Sequence, residues 1–314
     1  MNAIRWEKNK LGFVGIGQMG GRIAQRLLES GFKLIAYDRN RSKAEELIRY
    51  GGTVAESVAD LSSSCNVVLS CLSNDEAVLN IYGGAEGVFA HAHPGSLVIE
   101  MSTVYPETSR QLARQGSNCG VDVLDVTISG STPAAERGLL TLFGGGDKAC
   151  FAAAEPIFRA IAQKYFYLGP SGSGATMKLV ANTLLGIGMQ AIAEAVALGE
   201  TAGLDRNRLL DVLSQTAVVA PAHTGKLQRA MKSDYSPQFP IRLMNKDFGL
   251  ILNLADAVGA RMPAAGAAFE INARQLEEGA EQDFSAVILR MEKEAHLDFT
   301  GEELVQKLST GGLS

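Results

Sequence analysis

The 314-residue sequence has little of what marks a secreted, disulfide-stabilised protein. Its first residues, MNAIRWEKNK, contain no apolar core, so we expect no signal peptide. Cysteine is scarce, and the four cysteines form no CxxC pair and have no framework spacing, which is typical of free thiols in a reducing compartment. We therefore expect a cytoplasmic protein with unpaired thiols at Cys65, Cys71, Cys119 and Cys150.

The sequence also lacks a strong charge of one sign and a long apolar run. Lysine and arginine total 29, aspartate and glutamate total 34, and the net charge is −5 with the basic residues dispersed. This pattern favours neither a nucleic-acid nor an anionic-membrane partner. The longest uncharged run of the central helical segment, Leu179 to Ala193, is too short and too rich in Gly, Asn and Gln to suggest a membrane span.

Metal ligands are scarce as well. His91 and His93 form an HxH pair, but a Pro-Gly turn follows and no third ligand stands nearby in the sequence. A zinc site needs three or four converging ligands, so this spacing is typical of a surface loop. We expect no metal.

Glycine is abundant, and the pattern around it divides the chain. With 314 residues the chain suits two domains. The first half alternates short apolar strands with helices, and the second half is helical throughout, joined to the first by a long apolar helix after Ser171. We expect a doubly wound, Rossmann-type α/β domain with a parallel-rich sheet in residues 1–170, followed by an all-α domain in residues 171–314.

The first strand candidate, Lys10 to Val14, leads into a glycine turn, and the next, Lys33 to Tyr37, ends at Asp38. Strand, GxGxxG turn, helix, strand and acid are the elements of a dinucleotide site, in which the glycines permit a tight turn and close approach of a pyrophosphate. The helix N-terminus offers free N–H groups to the phosphates. The turn residues that we predict to bind a dinucleotide are Gly15, Ile16, Gly17, Gln18, Met19 and Gly20.

Asp38 and its neighbours bear on which dinucleotide is bound. A carboxylate there accepts hydrogen bonds from the ribose hydroxyls and repels a 2′-phosphate, which favours NAD. Arg39 and Arg41 follow directly, and either can pair with a 2′-phosphate, so NADP stays open.

Polar residues follow two further buried strands. Leu72 and Ser73 come after the strand Asn66 to Cys71, and Thr103 comes soon after Leu97 to Glu100. Ligands of doubly wound sheets bind beyond the carboxyl ends of the strands, so we predict cofactor contacts here. Helix capping is an equally good explanation for the serines at these ends.

Two further stretches carry candidate substrate groups. The loop after Asp125 is crowded with small and hydroxyl residues, and its free backbone donors can cradle a carboxylate. In the central helix, Lys178 and Asn182 stand four residues apart and so share one face. A lysine in the first turns of an apolar helix opposes the helix dipole and pays for desolvation, which points to a function. Lys246 and Asp247 later suggest an ion pair.

These stretches together resemble the β-hydroxyacid dehydrogenases, the family of 3-hydroxyisobutyrate dehydrogenase and tartronate semialdehyde reductase. The resemblance covers about Leu11 to Glu278. It rests on motifs in the family's order, namely FVGIGQMGGRIA, STVYP, DVTISGSTPAAERGLLT, GSGATMKLVAN and MNKD.

The resemblance implies roles for particular residues. Lys178 is the expected acid/base at the reacting carbon, and Asn182 helps to hold it and the substrate. The loop residues Ser129, Gly130 and Ser131 are expected to bind the substrate carboxylate. The resemblance also assigns cofactor contacts to Thr103 and Lys246, the latter at the nicotinamide end. A dimer or tetramer is expected.

The implied activity is NAD(P)-dependent hydride transfer between a small β-hydroxyacid, such as 3-hydroxyisobutyrate, and a semialdehyde or β-keto acid. The substrate loop departs from the family's pattern, because Ser131 replaces a glycine and Pro133 stiffens the loop. A sulfonate-aldehyde reductase therefore stays an alternative. An imine reductase is another, although it generally lacks the lysine at position 178. A non-catalytic dinucleotide-binding module is a third.

The tail from 296 to 314 extends past the usual core and either docks on a partner subunit or frays.

Overall fold

The computed structural model describes residues 10–297. Most of the tail, including a helix predicted from Glu302 to Leu308, lies outside the described residues. The chain divides into two compact units between Ala181 and Asn182. This division falls inside the long central helix, whereas the boundary proposed from the sequence precedes that helix.

The first unit alternates strands and helices, as the hydrophobic pattern indicates. Its strands are β1 (Lys10–Val14), β2 (Lys33–Tyr37), β3 (Thr53–Val54), β4 (Val67–Ser70), β5 (Leu97–Glu100), β6 (Asp122–Ser129), β7 (Leu140–Gly145) and β8 (Ala162–Tyr167). Its helices are α1 (Gln18–Glu29), α2 (Arg41–Glu45), α3 (Val58–Ser64), α4 (Asp75–Tyr82), α5 (Val88–His91), α6 (Pro106–Asn118), α7 (Thr132–Glu136), α8 (Lys148–Ala153), α9 (Glu155–Ile161) and the start of α10 (Ser173–Thr201). The sequence predicts strands over Asp122 to Asp125, Leu140 to Phe143 and Lys164 to Leu168, which correspond to β6, β7 and β8, and β6 runs four residues further than predicted. The two-residue strand β3 was not predicted.

The eight strands form one sheet in the order β3-β2-β1-β4-β5-β6-β7-β8. Every neighbouring pair is parallel except β6 and β7, which are antiparallel. The order reverses beside β1, and a crevice for a ligand opens at such a switch point. The predicted doubly wound, parallel-rich α/β fold is confirmed.

Alternate strand residues face two separate apolar cores, one on each side of the sheet. Leu11, Leu69 and Ile99 belong to one core, and Val68 and Val98 belong to the other. Successive side chains of a strand point to opposite faces of the sheet, so a strand that is buried on both faces contributes to both cores. Because β1, β4 and β5 are buried on both faces, they read as continuous apolar runs, and their polar groups concentrate at the strand ends.

The carboxyl ends of the central strands are aligned. One row of register partners runs across the sheet through Tyr37, Val14, Ser70, Glu100 and Asp125. The strands β1, β2, β4 and β5 all end in this row. The turns that follow these four strands therefore emerge side by side.

The second unit is helical in every described residue apart from turns and one bridge. It contains the rest of α10, then α11 (Arg206–Ser214), α12 (Pro221–Ala230), α13 (Ile241–Val258), α14 (Pro263–Gly279) and α15 (Val287–Leu297). Helices α10 and α13 approach closely because Gly186 has no side chain, and a Cβ there would overlap the ring of Phe248. The predicted all-α half is confirmed.

Helix α10 is long and apolar enough, by length and composition, to cross a membrane. Its 29 residues contain an 18-residue window of mean hydropathy 1.4, of which 39% is buried in the structure. The uncharged run Leu179 to Ala193, which predicted no span, is shorter than this helix. Core helices pass the same composition test, so this property alone does not indicate a membrane.

Candidate active site

The turn after β1 depends on two glycines that admit no side chain. Gly15 has a φ of +92°, and a Cβ there would overlap the carbonyl oxygen of Cys71. A Cβ on Gly20 would overlap the carbonyl oxygen of Gly15. Gly17 differs, because a Cβ there would have no neighbour within 4 Å. The space at Gly17 is open to a ligand, whereas Gly15 and Gly20 shape the turn itself.

The N-terminus of α1 fits an anionic ligand. No side chain caps this helix, and its first turn contains no acidic residue. By contrast, the side chains of Ser57, Asn74 and Asp147 cap α3, α4 and α8. Uncapped N–H groups at a helix N-terminus carry a partial positive charge that stabilises phosphate. This terminus and the open space at Gly17 fit the pyrophosphate of a dinucleotide.

Asp38 is held against the glycine turn. Its Oδ2 accepts a hydrogen bond of 2.8 Å from the backbone N–H of Ile16, and its Oδ1 accepts one of 2.8 Å from Asn40. Each carboxylate oxygen can accept a second hydrogen bond, so the group can also bind ribose hydroxyls. The structure thus brings the predicted acid to the predicted turn.

The two arginines after Asp38 differ in their surroundings. Arg39 is exposed. Arg41 contacts Glu45 at 2.9 Å and Glu56 at 2.6 Å, and the hydrogen bond to Glu56 is the main reason that its pKa is raised. A 2′-phosphate would have to compete with these two carboxylates for Arg41.

The turns after β4 and β5 are joined by hydrogen bonds. The backbone N–H of Leu72 donates to Ser102 Oγ at 2.7 Å, and the N–H of Ser102 donates to Glu100 Oε1 at 2.9 Å. Thr103, the next residue, is half-buried, and Ser73 is exposed. The cap of α4 is Asn74, which accepts from Ala77 N at 2.8 Å. Ser102 therefore links two turns rather than capping a helix.

The predicted substrate loop begins where β6 ends. Ser129 is the last residue of the strand, and Gly130 adopts a φ of +144° that favours glycine. Ser131 precedes α7 without capping it through its side chain, and Pro133 lies in the first turn of α7. Gly130 and Ser131 are exposed, so their polar groups are accessible.

Asp125 anchors the start of α10. Its buried carboxylate accepts hydrogen bonds of 2.9 Å from the backbone N–H groups of Gly172 and Ala175. Thr127 donates to the carbonyl oxygen of Gly174 at 2.8 Å. Burial raises the pKa of Asp125, and the N–H donors oppose that rise. This anchor was not predicted from the sequence, although an acid and a threonine two residues apart in a buried strand are an unusual signal.

Lys178 lies about one helical turn beyond that anchor and is half-buried. Ser129 continues the strand face that carries Asp125 and Thr127, because alternate residues of a strand point to the same side. The same strand thus positions the lysine's helix and the start of the substrate loop.

In the second unit, Asn182 forms a buried cluster with two residues of α13. Its Nδ2 donates to Asp247 Oδ2 at 2.5 Å, and the side chain of Lys246 approaches Asp247 Oδ1 at 3.0 Å. Asn182 and Asp247 are 2% and 1% exposed. The predicted Lys246–Asp247 ion pair is confirmed, but the sequence did not reveal that Asp247 also orients Asn182.

The histidine pair does not converge. His91 bonds the carbonyl oxygen of Ala85 and His93 bonds that of Ser63, each at 2.9 Å. Within residues 10–297, no group of three or more His, Cys, Asp or Glu side chains has an arrangement that could hold a metal ion.

Family models match both units. Residues 10–169 match the NAD-binding domain of 6-phosphogluconate dehydrogenase. Residues 172–291 match the model described as NAD-binding of NADP-dependent 3-hydroxyisobutyrate dehydrogenase.

Three known proteins illustrate the similarity. Glyoxylate/succinic semialdehyde reductase 1 of Arabidopsis thaliana is 38% identical over 281 residues, which cover 89% of this chain and 97% of the relative. NAD-dependent L-serine dehydrogenase of Pseudomonas aeruginosa is 34% identical over 286 residues, with coverages of 88% and 96%. The structure of Mycobacterium tuberculosis 3-hydroxyisobutyrate dehydrogenase with L-serine aligns with a TM-score of 0.81 and 29% identity, with coverages of 90% and 99%.

These matches span nearly the full length of both this chain and its relatives. They agree with the glycine turn, the uncapped α1 terminus and the position of Asp38. The cofactor is a nicotinamide dinucleotide, and the protein is an oxidoreductase. The chain belongs to the 3-hydroxyisobutyrate dehydrogenase family, the NAD(P)-dependent β-hydroxyacid dehydrogenases and reductases.

Proposed function

We propose that the protein interconverts a small β-hydroxyacid, of the 3-hydroxyisobutyrate type, and the corresponding semialdehyde or β-keto acid. The observation that carries the proposal is the anchoring of both Lys178 and Ser129 by strand β6. Asp125 and Thr127 fix the first turn of α10, and Ser129 ends the same strand. A proton-transfer group and a carboxylate-binding loop built on one rigid strand suit a small acid substrate.

In this proposal Lys178 exchanges the proton of the substrate hydroxyl. A lysine does this near neutral pH when burial and a nearby cation lower its pKa. Ser129, Gly130 and Ser131 bind the substrate carboxylate through hydroxyl and backbone N–H groups, and Asn182 orients the hydroxyl. The nicotinamide dinucleotide supplies the hydride chemistry when bound. Lys246, Leu72, Ser73 and Thr103 contact it beyond the glycine turn.

We propose NAD rather than NADP as the preferred cofactor. Asp38 presents a carboxylate beside the glycine turn, where a 2′-phosphate would be repelled. Arg41 is engaged by two glutamates. Arg39 is exposed and is the one residue of this turn that argues for NADP.

Relatives whose names include glyoxylate, succinic semialdehyde and L-serine support this substrate class. All three are small carboxylic acids. A hydroxy-sulfonate is the second candidate, because Ser131 adds an exposed hydroxyl to the loop and a sulfonate has one more oxygen than a carboxylate to bind it.

A substrate panel tests this proposal. Formation of the reduced cofactor is followed with NAD and NADP, using 3-hydroxyisobutyrate, L-serine, 4-hydroxybutyrate, glycolate and a hydroxy-sulfonate. We expect the highest kcat/KM with NAD and a hydroxyacid. Turnover of the sulfonate alone would favour the second candidate. Tight cofactor binding without turnover of any compound would favour a non-catalytic module.

The role of Lys178 is tested by Lys178→Met. We expect kcat to fall by about 10²–10⁴ while the Kd for NADH changes less than about twofold. Lys148→Met is the matched control, since Lys148 is an exposed lysine at the start of α8. Turnover retained in Lys178→Met would show that another group exchanges the proton.

We also propose a cytoplasmic homodimer or homotetramer. The four unpaired cysteines fit a reducing compartment. Leu184, Ala191 and Leu198 are seven residues apart on α10, and both leucines are more than 70% exposed. Residues seven apart share one helix face, and such an apolar face is typical of a contact with a second copy. We expect the double variant Leu184→Glu/Leu198→Glu to have the molar mass of a monomer by light scattering.

A further inference from the structure

A row of polar groups is buried beneath the turns that follow β4, β5 and β6. Ser70, Glu100 and Asp125 are register partners on neighbouring strands, so their side chains point to the same side of the sheet. Each is no more than 2% exposed. Burying two carboxyl groups in one row is costly in free energy. The hydrogen bonds of each carboxyl group identify the part of the fold that it fixes.

Asp125 and Glu100 hold different parts of the fold. Asp125 binds the start of α10 through both of its oxygens. Glu100 Oε1 accepts the backbone N–H of Ser102 at 2.9 Å, while Oε2 is buried without a hydrogen-bond partner. The Ser102 hydroxyl oxygen in turn accepts the N–H of Leu72. A continuous chain of hydrogen bonds thus runs from the turn after β4, through Ser102, to Glu100.

Among the described residues, the groups found to act on Glu100 are neutral or acidic. Asp125 faces it from β6, and Ser70 faces it from β4 at 3.4 Å. The Tyr82 hydroxyl of α4 bonds Ser70 Oγ at 2.6 Å. Burial, with a smaller contribution from Asp125, raises the pKa of Glu100 to about 7. A surface glutamate would avoid this cost, so the buried carboxyl is retained for what it holds.

We propose that Glu100 is a positioning residue for the cofactor, which fixes the turns after β4 and β5 in one conformation by holding Ser102. This inference rests on the proposed cofactor contacts of Leu72 and Thr103, the residues on either side of that link. Glu100 itself does not contact the cofactor in this arrangement. It acts on the cofactor site through Ser102. The Ser102 hydroxyl accepts the N–H of Leu72, and Ser102 is bonded to Thr103 by the peptide bond.

The experiment measures the Kd for NADH by its fluorescence, without substrate, and the unfolding temperature of each variant. Glu100→Ala removes the acceptor, and we expect the Kd to rise about tenfold. Glu100→Gln keeps an acceptor oxygen, so its Kd should stay within about threefold of wild type. Asp147→Ala is the control for lost stability alone, because it removes the cap of α8 and leaves the Glu100 hydrogen bonds intact. Tyr82→Phe removes a buried hydrogen bond of Ser70 and should likewise leave the Kd unchanged.

Steady-state kinetics add a second readout. In Glu100→Ala the KM for NAD should rise while kcat at saturating NAD and the KM for the hydroxyacid stay near wild type. If Glu100→Ala does not fold, Ser102→Ala carries the test, and its Kd should rise several-fold.

Three outcomes would overturn the inference. The first is a Kd for NADH that stays unchanged in Glu100→Ala, or in Ser102→Ala if that variant carries the test. The second is an equal rise of the Kd in Asp147→Ala. The third is a Kd for Glu100→Gln that is as high as that of Glu100→Ala. Wild-type protein that binds NADH but turns over no hydroxyacid would instead count against the proposed function alone.

Discussion

The two units are stabilised by different kinds of contact. In the first unit the described ion pairs lie at the surface, and each partner is more than 40% exposed. Its interior is two apolar cores on either side of the sheet. In the second unit several ion pairs are largely buried, such as Lys226–Asp283 at 2.7 Å and Arg206–Glu292 at 2.6 Å. Exposed pairs contribute little, whereas breaking a buried pair is costly.

The same difference extends to the candidate functional groups within each unit. In the first unit the candidate cofactor groups are built from backbone, namely a glycine turn, an uncapped helix terminus and aligned strand ends. In the second unit the candidate groups are side chains of two helices, Asn182 with Lys246 and Asp247. A backbone-built site should therefore respond most to glycine substitutions, and a side-chain cluster to the loss of one partner.

The largest expected effect is in the second unit. Asp283 is fully buried and binds Lys226, two backbone N–H groups and Ser285. Asp283→Ala leaves the Lys226 ammonium buried without its partner, so we expect the free energy of unfolding to fall by about 3–5 kcal/mol. Urea unfolding followed by circular dichroism measures this. The control is Arg114→Ala in the first unit, whose exposed pair with Glu107 should be worth less than about 1 kcal/mol. Equal losses would contradict the comparison.

Glu100 departs from this comparison, because it is a buried carboxyl group in the first unit. Its pKa is about 7 in the folded protein, against 4.5 ordinarily, since burial disfavours the carboxylate. The folded state therefore holds the proton more tightly. The stabilisation is complete below about pH 4.5 and is lost as the pH rises through about 7. Between pH 5 and 8 the stability of wild type relative to Glu100→Gln should fall by roughly 2–3 kcal/mol. Parallel pH profiles of the two proteins would refute this.

The glycine turn supplies a matched pair. Gly20→Ala forces a Cβ against the carbonyl oxygen of Gly15, so we expect the free energy of unfolding to fall by roughly 1–3 kcal/mol. Cofactor binding should be lost as well, because the turn is distorted. Gly17→Ala meets no protein atom within 4 Å, so the protein should lose less than about 1 kcal/mol. Its methyl group would occupy the space proposed for the pyrophosphate, so the Kd for NADH should rise about tenfold all the same. Thermal unfolding and NADH titration separate the two effects.

The sequence was most informative where structure is local. The alternation of strands and helices, the glycine turn and Asp38 all lie within short stretches, and seven of the eight strands were predicted. The two-residue strand β3 is too short to carry a pattern. The sequence predicts a helix over Gly225 to Ser233, but α12 begins four residues earlier, at Pro221, because a proline is well suited to the first turn of a helix.

Contacts between distant residues were not predictable. Asp125 and Gly172 are 47 residues apart, and Asn182 and Asp247 are 65 apart. Nothing in the sequence pattern around Asp125 or Asp247 indicates which distant group it meets. In both cases a buried carboxylate is the signal, and only the folded chain reveals its partner.

Asp247 tests the side-chain cluster. Asp247→Ala removes the acceptor that orients Asn182, and we expect kcat/KM for the hydroxyacid to fall about tenfold, or about 1.4 kcal/mol. Asn182→Ala should have a similar effect. The double variant should then be no worse than either single variant, because the two residues act as one unit. Additive losses would mean that Asp247 and Asn182 act separately.

The smallest expected effect concerns Asp38, whose side chain is held by backbone N–H groups of the first unit. Its carboxylate accepts from Ile16 and Asn40, and we propose that its remaining lone pairs bind the ribose hydroxyls. Asp38→Ala should weaken NADH binding several-fold and strengthen NADPH binding relative to it, since a nearby negative charge no longer repels the 2′-phosphate. Glu56→Gln, which loosens Arg41 without touching the turn, should move the NADPH/NADH ratio in the same direction but less. A ratio of Kd values unchanged in Asp38→Ala would mean that the backbone of the turn, and not this carboxylate, selects the cofactor.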